Sequence, residues 1–145
     1  MGEQVKAFVV FKGIIEDRSQ DRPIRKQIEV VPFDPELKYL QNLVGGYIEH
    51  YIIDEGLNNR FIDMWIDEEG KLKDGLQPSF ALCRDGQLYD VIFGNCVFSK
   101  YNREGETLGL DQDEVVVVLK YLEELPIVGL LKKDGSTVPC LAVDV

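Results

Sequence analysis

Short apolar runs, separated by polar segments rich in turn-forming residues, predict a chain of strands and helices. Residues 5–11 are apolar and β-branched and predict a first strand, and residues 24–31 predict a second. In the second strand the apolar residues occupy every second position, and Lys26 interrupts their face. The polar segment between the two strands, EDRSQDRP, predicts a hairpin connection.

Two segments have the apolar spacing of helices. The first follows Asp34, a residue typical of N-caps, and ends at Gly45, because helix ends favour glycine in the left-handed conformation. The second begins with Asp111 and Glu114 in a capping-box pattern and stops at Pro126. Its run of valines alone would favour a strand, but the helical repeat of its apolar residues favours a helix.

The remaining apolar segments predict further strands. Residues 47–53 and 60–67 form a pair joined by DEGLNN as a hairpin loop, and residues 89–100 form a strand with a bulge at Gly94. Between them, QPSFALC predicts one helical turn after its proline, and Asp85–Gly86 a tight turn.

The last segment, IVGLLKKDGSTVPCLAV, predicts a hairpin about Asp134 and Gly135. The predicted fold class is therefore α+β: a mixed or antiparallel sheet of hairpins with two helices packed on it, plus a C-terminal β-hairpin. The length of 145 residues fits a single domain, residues 1–145.

Charge and cysteine content narrow the function classes. The 26 acidic and 16 basic side chains give a net charge of −10, which disfavours direct binding to nucleic acid through its phosphates. The three cysteines form no CxxC pair and no disulfide framework. The N-terminal segment resembles neither a signal peptide nor a membrane span. We therefore expect a cytoplasmic, reducing setting.

The motifs of common enzymes are absent from the sequence. It contains no GxSxG, Walker lysine or GxGxxG pattern. The single histidine, His50, lies in a predicted strand, where its neighbour Glu49 points to the opposite face, so we expect it to be satisfied within the fold or half exposed. The segment DEEGKLKDG lacks the spacing of a calcium loop and predicts an exposed acidic turn. We predict no enzyme activity, no catalytic residue, no cofactor and no metal.

Candidate ligand-binding residues come from three features. Gly45 explains a helix stop, whereas the adjacent Gly46 either permits close packing or lets a ligand approach the backbone. Arginine side chains cluster around the first hairpin, where they either are solvated or hold a phosphate. Aromatic residues, Tyr89 among them, either pack in the core or offer stacking surfaces. The predicted ligand-binding set is Arg18, Arg22, Arg25, Gly45, Gly46, Tyr47, Tyr51 and Trp65.

Three segments in order, LQNLVGGYIEHYI, IDEEGKLKDGLQPSFAL and YDVIFGNCVF, resemble a family of phage and mobile-element proteins, domain of unknown function 3846. The resemblance runs from about residue 5 to about residue 125, so the hairpin of residues 126–145 is an addition to it. Asp67 replaces an asparagine of the family-type motif, and Gln77 and Ser79 replace its asparagine and arginine. The resemblance implies a small α+β protein of phages, prophages and plasmids and implies no enzymatic activity.

Proteins of such elements frequently counter host defence, which is an argument by association. The leading hypothesis is a non-enzymatic accessory protein, in the cytoplasm of the bacterial host, that sequesters a nucleotide-derived immune signalling molecule. The alternative is an acidic DNA mimic that binds a host nuclease or other effector protein through Asp54, Glu55, Asp63, Asp67, Glu68 and Glu69. A third hypothesis is a homo-oligomer in which the terminal LAVDV pairs as an edge strand.

Overall fold

The computed structural model of the protein describes residues 5–16 and 24–145. The helices are α1 (Leu37–Val44), α2 (Glu55–Asn58) and α3 (Gln112–Glu124), with a 3₁₀ turn at Gly70–Leu72. The strands are β1 (Ala7–Glu16), β2 (Ile24–Pro32), β3 (Ile48–Tyr51), β4 (Ile62–Asp67), β5 (Pro78–Arg84), β6 (Gln87–Phe93), β7 (Cys96–Tyr101), β8 (Thr107–Leu108), β9 (Ile127–Leu131) and β10 (Thr137–Asp144).

The strands form two sheets. The first has the order β2-β1-β7-β4-β3, with β8 paired to β7, and all of its pairs are antiparallel. The second has the order β6-β5-β10-β9 and is mixed, because β10 runs parallel to β5. The predicted α+β class is confirmed, with two sheets in place of one.

Two cores lie on opposite faces of the first sheet. The main core joins Phe11 of β1 and Phe98 of β7 to Phe80 of the second sheet and to Leu122 of α3. The smaller core lies beneath α1, where helix residues such as Leu40 pack on the other face of β1 and β7. Strand β1 is therefore buried on both faces, which explains why its sequence is a continuous apolar run.

The two predicted helices are present, and the capping box of Asp111 and Glu114 is confirmed at the start of α3. Asp34 is not the N-cap of α1. The helix begins after Glu36, and the Asp34 carboxylate instead accepts a hydrogen bond from the Glu36 N–H at 2.8 Å. This is an Asx turn ahead of the helix, which the same residue type also favours.

Lys26 has a structural reason for interrupting the apolar face of β2. Its ammonium group donates to the carbonyl oxygens of Leu122, Glu123 and Leu125 at 2.7, 2.6 and 2.7 Å. These carbonyls end α3 and have no partner within the helix, so Lys26 caps that helix from a strand. Burial lowers the pKa of this ammonium group, and the nearby Glu123 opposes the effect.

Two sequence predictions were wrong in detail, and a third, the antiparallel pair joined through DEGLNN, is confirmed but has a short helix in its connection. QPSFALC is not a helical turn but the start of β5, with Pro78 in the first strand position, where a missing N–H is tolerated. Residues 89–100 form two strands in different sheets, and Gly94, with a φ of 87°, lets the chain pass between them. The DEGLNN segment contains α2, which Asp54 caps by accepting from the Leu57 N–H at 3.0 Å.

The predicted C-terminal hairpin is confirmed as β9 and β10. Its last strand is not a free edge, because β10 pairs with β9 on one side and with β5 on the other. Within the segment LAVDV, Leu141 pairs with both neighbours, whereas Ala142, Val143 and Asp144 have register partners in β5 alone. Pairing of this segment with a second copy stays a prediction. Within the described residues, no helix has the length and apolar character needed to cross a bilayer.

Candidate functional site: a cleft at the glycine corner

Gly45 and Gly46 form the corner between α1 and β3. Gly45 has a φ of 97°, and both glycine N–H groups donate to the Gln41 carbonyl, at 2.8 and 3.1 Å. This is the left-handed helix end that the sequence predicted, and it is confirmed for Gly45. A Cβ on Gly45 would meet no atom within 4 Å, so its backbone angle alone requires glycine there.

Gly46 differs from Gly45, because side chains pack directly against its backbone. A Cβ at this position would lie 2.5 Å from the Lys73 Nζ and 3.2 Å from each carboxylate oxygen of Asp67. Lys73 and Asp67 form an ion pair at 2.5 Å, and the Asp67 side chain is only 2% exposed. Of the two readings that the sequence allowed, close packing therefore explains the second glycine: it leaves room for an ion pair on the backbone.

The ion pair ties the 68–76 segment to the end of α1. Lys73 also donates to the Gly45 carbonyl at 3.1 Å, and Asp67 accepts from the Glu69 N–H at 2.9 Å. From the β6–β7 connection, Asn95 donates to the Leu43 carbonyl at 3.1 Å. The three segments that carry the family resemblance thus meet around the C-terminal end of α1.

A cleft of about 460 Å³ opens at this corner, and we call it the glycine cleft. The backbone of Gly45 and Gly46 forms part of its wall. The surrounding side chains are mostly polar and come from α1, the corner and the 68–76 segment: Lys38, Gln41, Asn42, Tyr47, Glu69 and Lys73. The Tyr47 ring is 67% exposed, which is unusual for a large aromatic residue.

The charges in the glycine cleft nearly balance. Lys38 and Lys73 bring two positive charges, and Asp67 and Glu69 bring two negative ones. The Asp67 carboxylate is turned toward Lys73 and is buried, so the groups that remain open to a ligand are the Lys38 ammonium, the exposed Glu69 carboxylate, two side-chain amides and the tyrosine ring. These groups suit recognition by hydrogen bonds, charge and stacking.

The structure separates the other predicted ligand-binding residues. Arg25 is exposed on β2, the edge of the first sheet opposite to β3, about 19 Å away across four strand spacings. Tyr51 lines a second cleft of about 480 Å³ with Arg84 and Tyr89. In this cleft the Arg84 guanidinium lies 4.2 Å from the centroid of the Tyr89 ring. Trp65 packs beneath α1 and donates to Ser99. Arg18 and Arg22 lie outside the described residues.

The carboxylates of the predicted DNA mimic do not form one face. Asp63 and Asp67 have side chains that are only 2% exposed, so the DEEGKLKDG segment is not acidic and exposed throughout. Glu68 and Glu69 follow β4, whereas Asp54 and Glu55 belong to the connection that precedes it. The length of β4 separates the two pairs by about 20 Å.

The sequence analysis did not predict several residues that line the glycine cleft. Lys38, Gln41 and Asn42 occupy the polar face of α1, at a spacing that the sequence displays. Lys73 gave no such signal, because only the folded 68–76 segment brings it to the corner. Within residues 5–16 and 24–145, His, Cys, Asp and Glu side chains form no group of three or more that could hold a metal ion.

The comparisons with known proteins give one match. The profile of a protein family described as "Domain of unknown function (DUF3846)" matches residues 20–125. Neither a curated protein nor a solved structure matches the chain.

Proposed function

We propose that this chain, which belongs to the family of domain of unknown function 3846, is a non-enzymatic protein that binds a nucleotide-derived small molecule in the glycine cleft. The observation that carries the proposal is the largely exposed Tyr47 ring, which stands in one cleft beside the Gln41 and Asn42 amides and the Lys38 ammonium group. The volume of about 460 Å³ is in the range of small-molecule sites.

The base of such a ligand has natural partners in the cleft. Stacking of a base on an aromatic side chain contributes roughly 1–3 kcal/mol and needs no particular base. Asparagine and glutamine amides each offer a donor and an acceptor, the combination that matches the edge of adenine. We therefore place the base against Tyr47, with Gln41 and Asn42 at its edge.

Among the described residues that line the cleft, Lys38 is the one cation without a carboxylate partner, and it would face the phosphate. Lys38 is free to act as a point charge on a phosphate, while Lys73 is already paired with Asp67. This arrangement favours a ligand with few phosphate charges over a polyphosphate, because Glu69 would repel additional ones. Lys38 thus takes the role that the sequence assigned to Arg18, Arg22 and Arg25.

The biological role follows from the family resemblance and not from the cleft. Phage and mobile-element proteins frequently act against host defence, so we propose that the bound molecule is an immune signal that this protein sequesters in the bacterial cytoplasm. Sequestration requires binding without turnover. The amides, the lysine and the tyrosine ring of the cleft are groups that suit binding.

The test is thermal stabilisation of the protein by a panel of cyclic nucleotides, cyclic ADP-ribose isomers and other NAD derivatives. A ligand at a hundred times its dissociation constant should add roughly 3 kcal/mol to the free energy of unfolding. The ligand should be recovered intact, as shown by chromatography. A ligand that is consumed would overturn the non-enzymatic proposal, and no shift with any compound would overturn the nucleotide proposal.

Two matched pairs of variants locate the site. Tyr47→Ala and Lys38→Ala should each weaken binding about tenfold or more, because they remove the stacking ring and the open cation. Tyr89→Ala removes the same ring and Arg25→Ala removes one positive charge, both outside the glycine cleft, and both should leave binding unaltered. Equal effects in both pairs would exclude the glycine cleft as the site.

A further inference from the structure

The face of the first sheet that carries α1 also displays a row of aromatic rings. His50 lies 5.2 Å from Trp65 and 6.3 Å from Tyr101, and Tyr101 lies 5.4 Å from Phe61, all in edge-to-face or steeply inclined geometry. The His50 side chain is 45% exposed and Phe61 is 41% exposed. We call these four residues the aromatic surface; it is distinct from the glycine cleft.

A chain of hydrogen bonds beneath this surface orients the imidazole. The Trp65 indole N–H donates to Ser99 Oγ at 3.0 Å, and the Ser99 hydroxyl donates to Asp63 Oδ1 at 2.6 Å. The other Asp63 oxygen lies 2.6 Å from His50 Nε2. Because an indole can only donate, the serine must give its own proton to the carboxylate. The ionised Asp63 then accepts on both oxygens, and His50 holds its proton on Nε2.

This tautomer leaves Nδ1 of His50 as a hydrogen-bond acceptor. Within the described residues no group bonds to Nδ1. The carboxylate below is buried, at 2% exposure, so its charge is poorly screened and acts on whatever lies above the ring. The aromatic surface therefore combines π-electron density, a free acceptor and a buried carboxylate beneath the imidazole, which together favour a cation.

Phe61 holds its ring at this surface in a strained backbone conformation. Its φ of 61° lies in the left-handed region, where a bulky residue is an outlier. Its carbonyl accepts from the Tyr101 N–H at 3.0 Å, which fixes this geometry beside the second ring. Strain of this kind clusters at functional sites, and Phe61 is 41% exposed at this one.

We propose that the aromatic surface is a docking site for an arginine side chain of a protein partner. A guanidinium group is planar and positively charged, stacks on aromatic rings and carries N–H donors for the free Nδ1. Charge complementarity supports this occupant, since the chain carries a net charge of −10 and the buried Asp63 faces the site. A lysine would supply the charge but neither the plane nor the fork of donors.

The experiment is an NMR titration with three capped peptides that differ at one residue. The chain has a single histidine, so its ring resonances report this site without ambiguity. The arginine peptide should shift these resonances with saturation. The citrulline peptide, its uncharged isostere, should bind about fivefold more weakly or worse, and the lysine peptide should also bind more weakly.

Two variants separate docking from a structural role. Phe61→Asn removes the ring, while asparagine tolerates the left-handed backbone, so stability should be kept or raised as arginine binding falls about fivefold. Asp63→Asn replaces the acceptor toward Nε2 with an amide donor, so His50 should move its proton to Nδ1, visible in its ¹⁵N shifts, and lose arginine binding. Tyr47→Ala should have no effect on this titration.

One outcome of the titration supports the proposal, and four would overturn it. Preferential arginine binding that both variants weaken supports the proposal. Equal binding of arginine and citrulline, equal binding of arginine and lysine, absence of a shift at His50, or full binding by Phe61→Asn overturns it.

Discussion

The ammonium group of Lys73 occupies the space in which a side chain on Gly46 would lie, 2.5 Å from the position of a Cβ built there. The two residues are distant in the chain, and the contact shows that the second glycine leaves room for the Lys73–Asp67 ion pair. The same contact positions the 68–76 segment as a wall of the glycine cleft. The packing at Gly46 and the access of a ligand to the glycine cleft therefore both depend on the position of Lys73.

Replacing Gly46 by alanine tests this relationship. The new methyl group should displace Lys73, leaving the buried Asp67 carboxylate without its partner, at a cost of about 1–3 kcal/mol in the free energy of unfolding. Gly46→Ala in a Lys73→Ala background is the matched control, because the ammonium group that the new methyl group would displace is absent there. Urea denaturation measures both, and an equal loss in the two backgrounds would refute the explanation.

Lys26 offers a second test, at the far end of the molecule. Lys26→Met keeps the length of the side chain but removes the donor to three carbonyls at the end of α3, so we expect a loss of about 1–3 kcal/mol. Lys120→Met makes the same change on the exposed side of α3 and should alter stability by less than about 0.5 kcal/mol. If both variants unfold at the same urea concentration, Lys26 is not a cap.

Two aspartates that look alike in sequence should behave differently. Asp111→Ala removes one half of a capping box, in which the carboxylate accepts from the Glu114 N–H at 2.8 Å, and should cost about 1 kcal/mol. Asp34→Ala removes an exposed Asx turn ahead of α1 and should cost less than about 0.5 kcal/mol. Thermal denaturation of the two proteins compares them, and the reverse order would contradict the structure.

Asp63 should make stability depend on pH. Burial raises the pKa of its carboxyl, and the hydrogen bonds from Ser99 and His50 oppose only part of that effect. The folded state then holds the proton more tightly than the unfolded state does. The stability contributed by the protonated form is complete below the unfolded pKa, about 4, and is lost as pH rises through the folded value.

The measurement uses the His50→Gln background, so that the imidazole does not titrate. In this background the free energy of unfolding of the Asp63 protein, minus that of its Asp63→Asn variant, should fall as pH rises from about 4 to 7. A difference that is constant or rises with pH would show that the carboxyl is not destabilised by burial.

The local elements were largely predictable because their signals are local. The capping pattern at Asp111, the helix stop at Gly45 and the turn at Asp134 and Gly135 each depend on residues that are neighbours in the chain. QPSFALC failed because a short apolar run carries no period that distinguishes a strand from a helical turn. The sequence predicted a bulge at Gly94, where the chain instead passes from one sheet to the other. A bulge and such a passage both favour a glycine, so the residue type does not distinguish them.

The site was less predictable, because side chains from distant segments form it. Sequence alone placed Gly45, Gly46 and Tyr47 together, since they are adjacent, but it grouped them with Arg25, which the strand order puts on the opposite edge of the sheet. It also treated His50 as isolated, because its partner Asp63 is on the next strand.

The sequence by itself determined the α+β class, the end of α1 at Gly45, the start of α3 at Asp111, the acidic balance and the family, since each follows from composition or from neighbours along the chain. Only the tertiary structure decided that Lys73 fills the space beside Gly46, that Lys26 caps α3 and that Asp63 orients His50. These contacts depend on strand order and register, which long-range packing of the two cores fixes and no local pattern encodes.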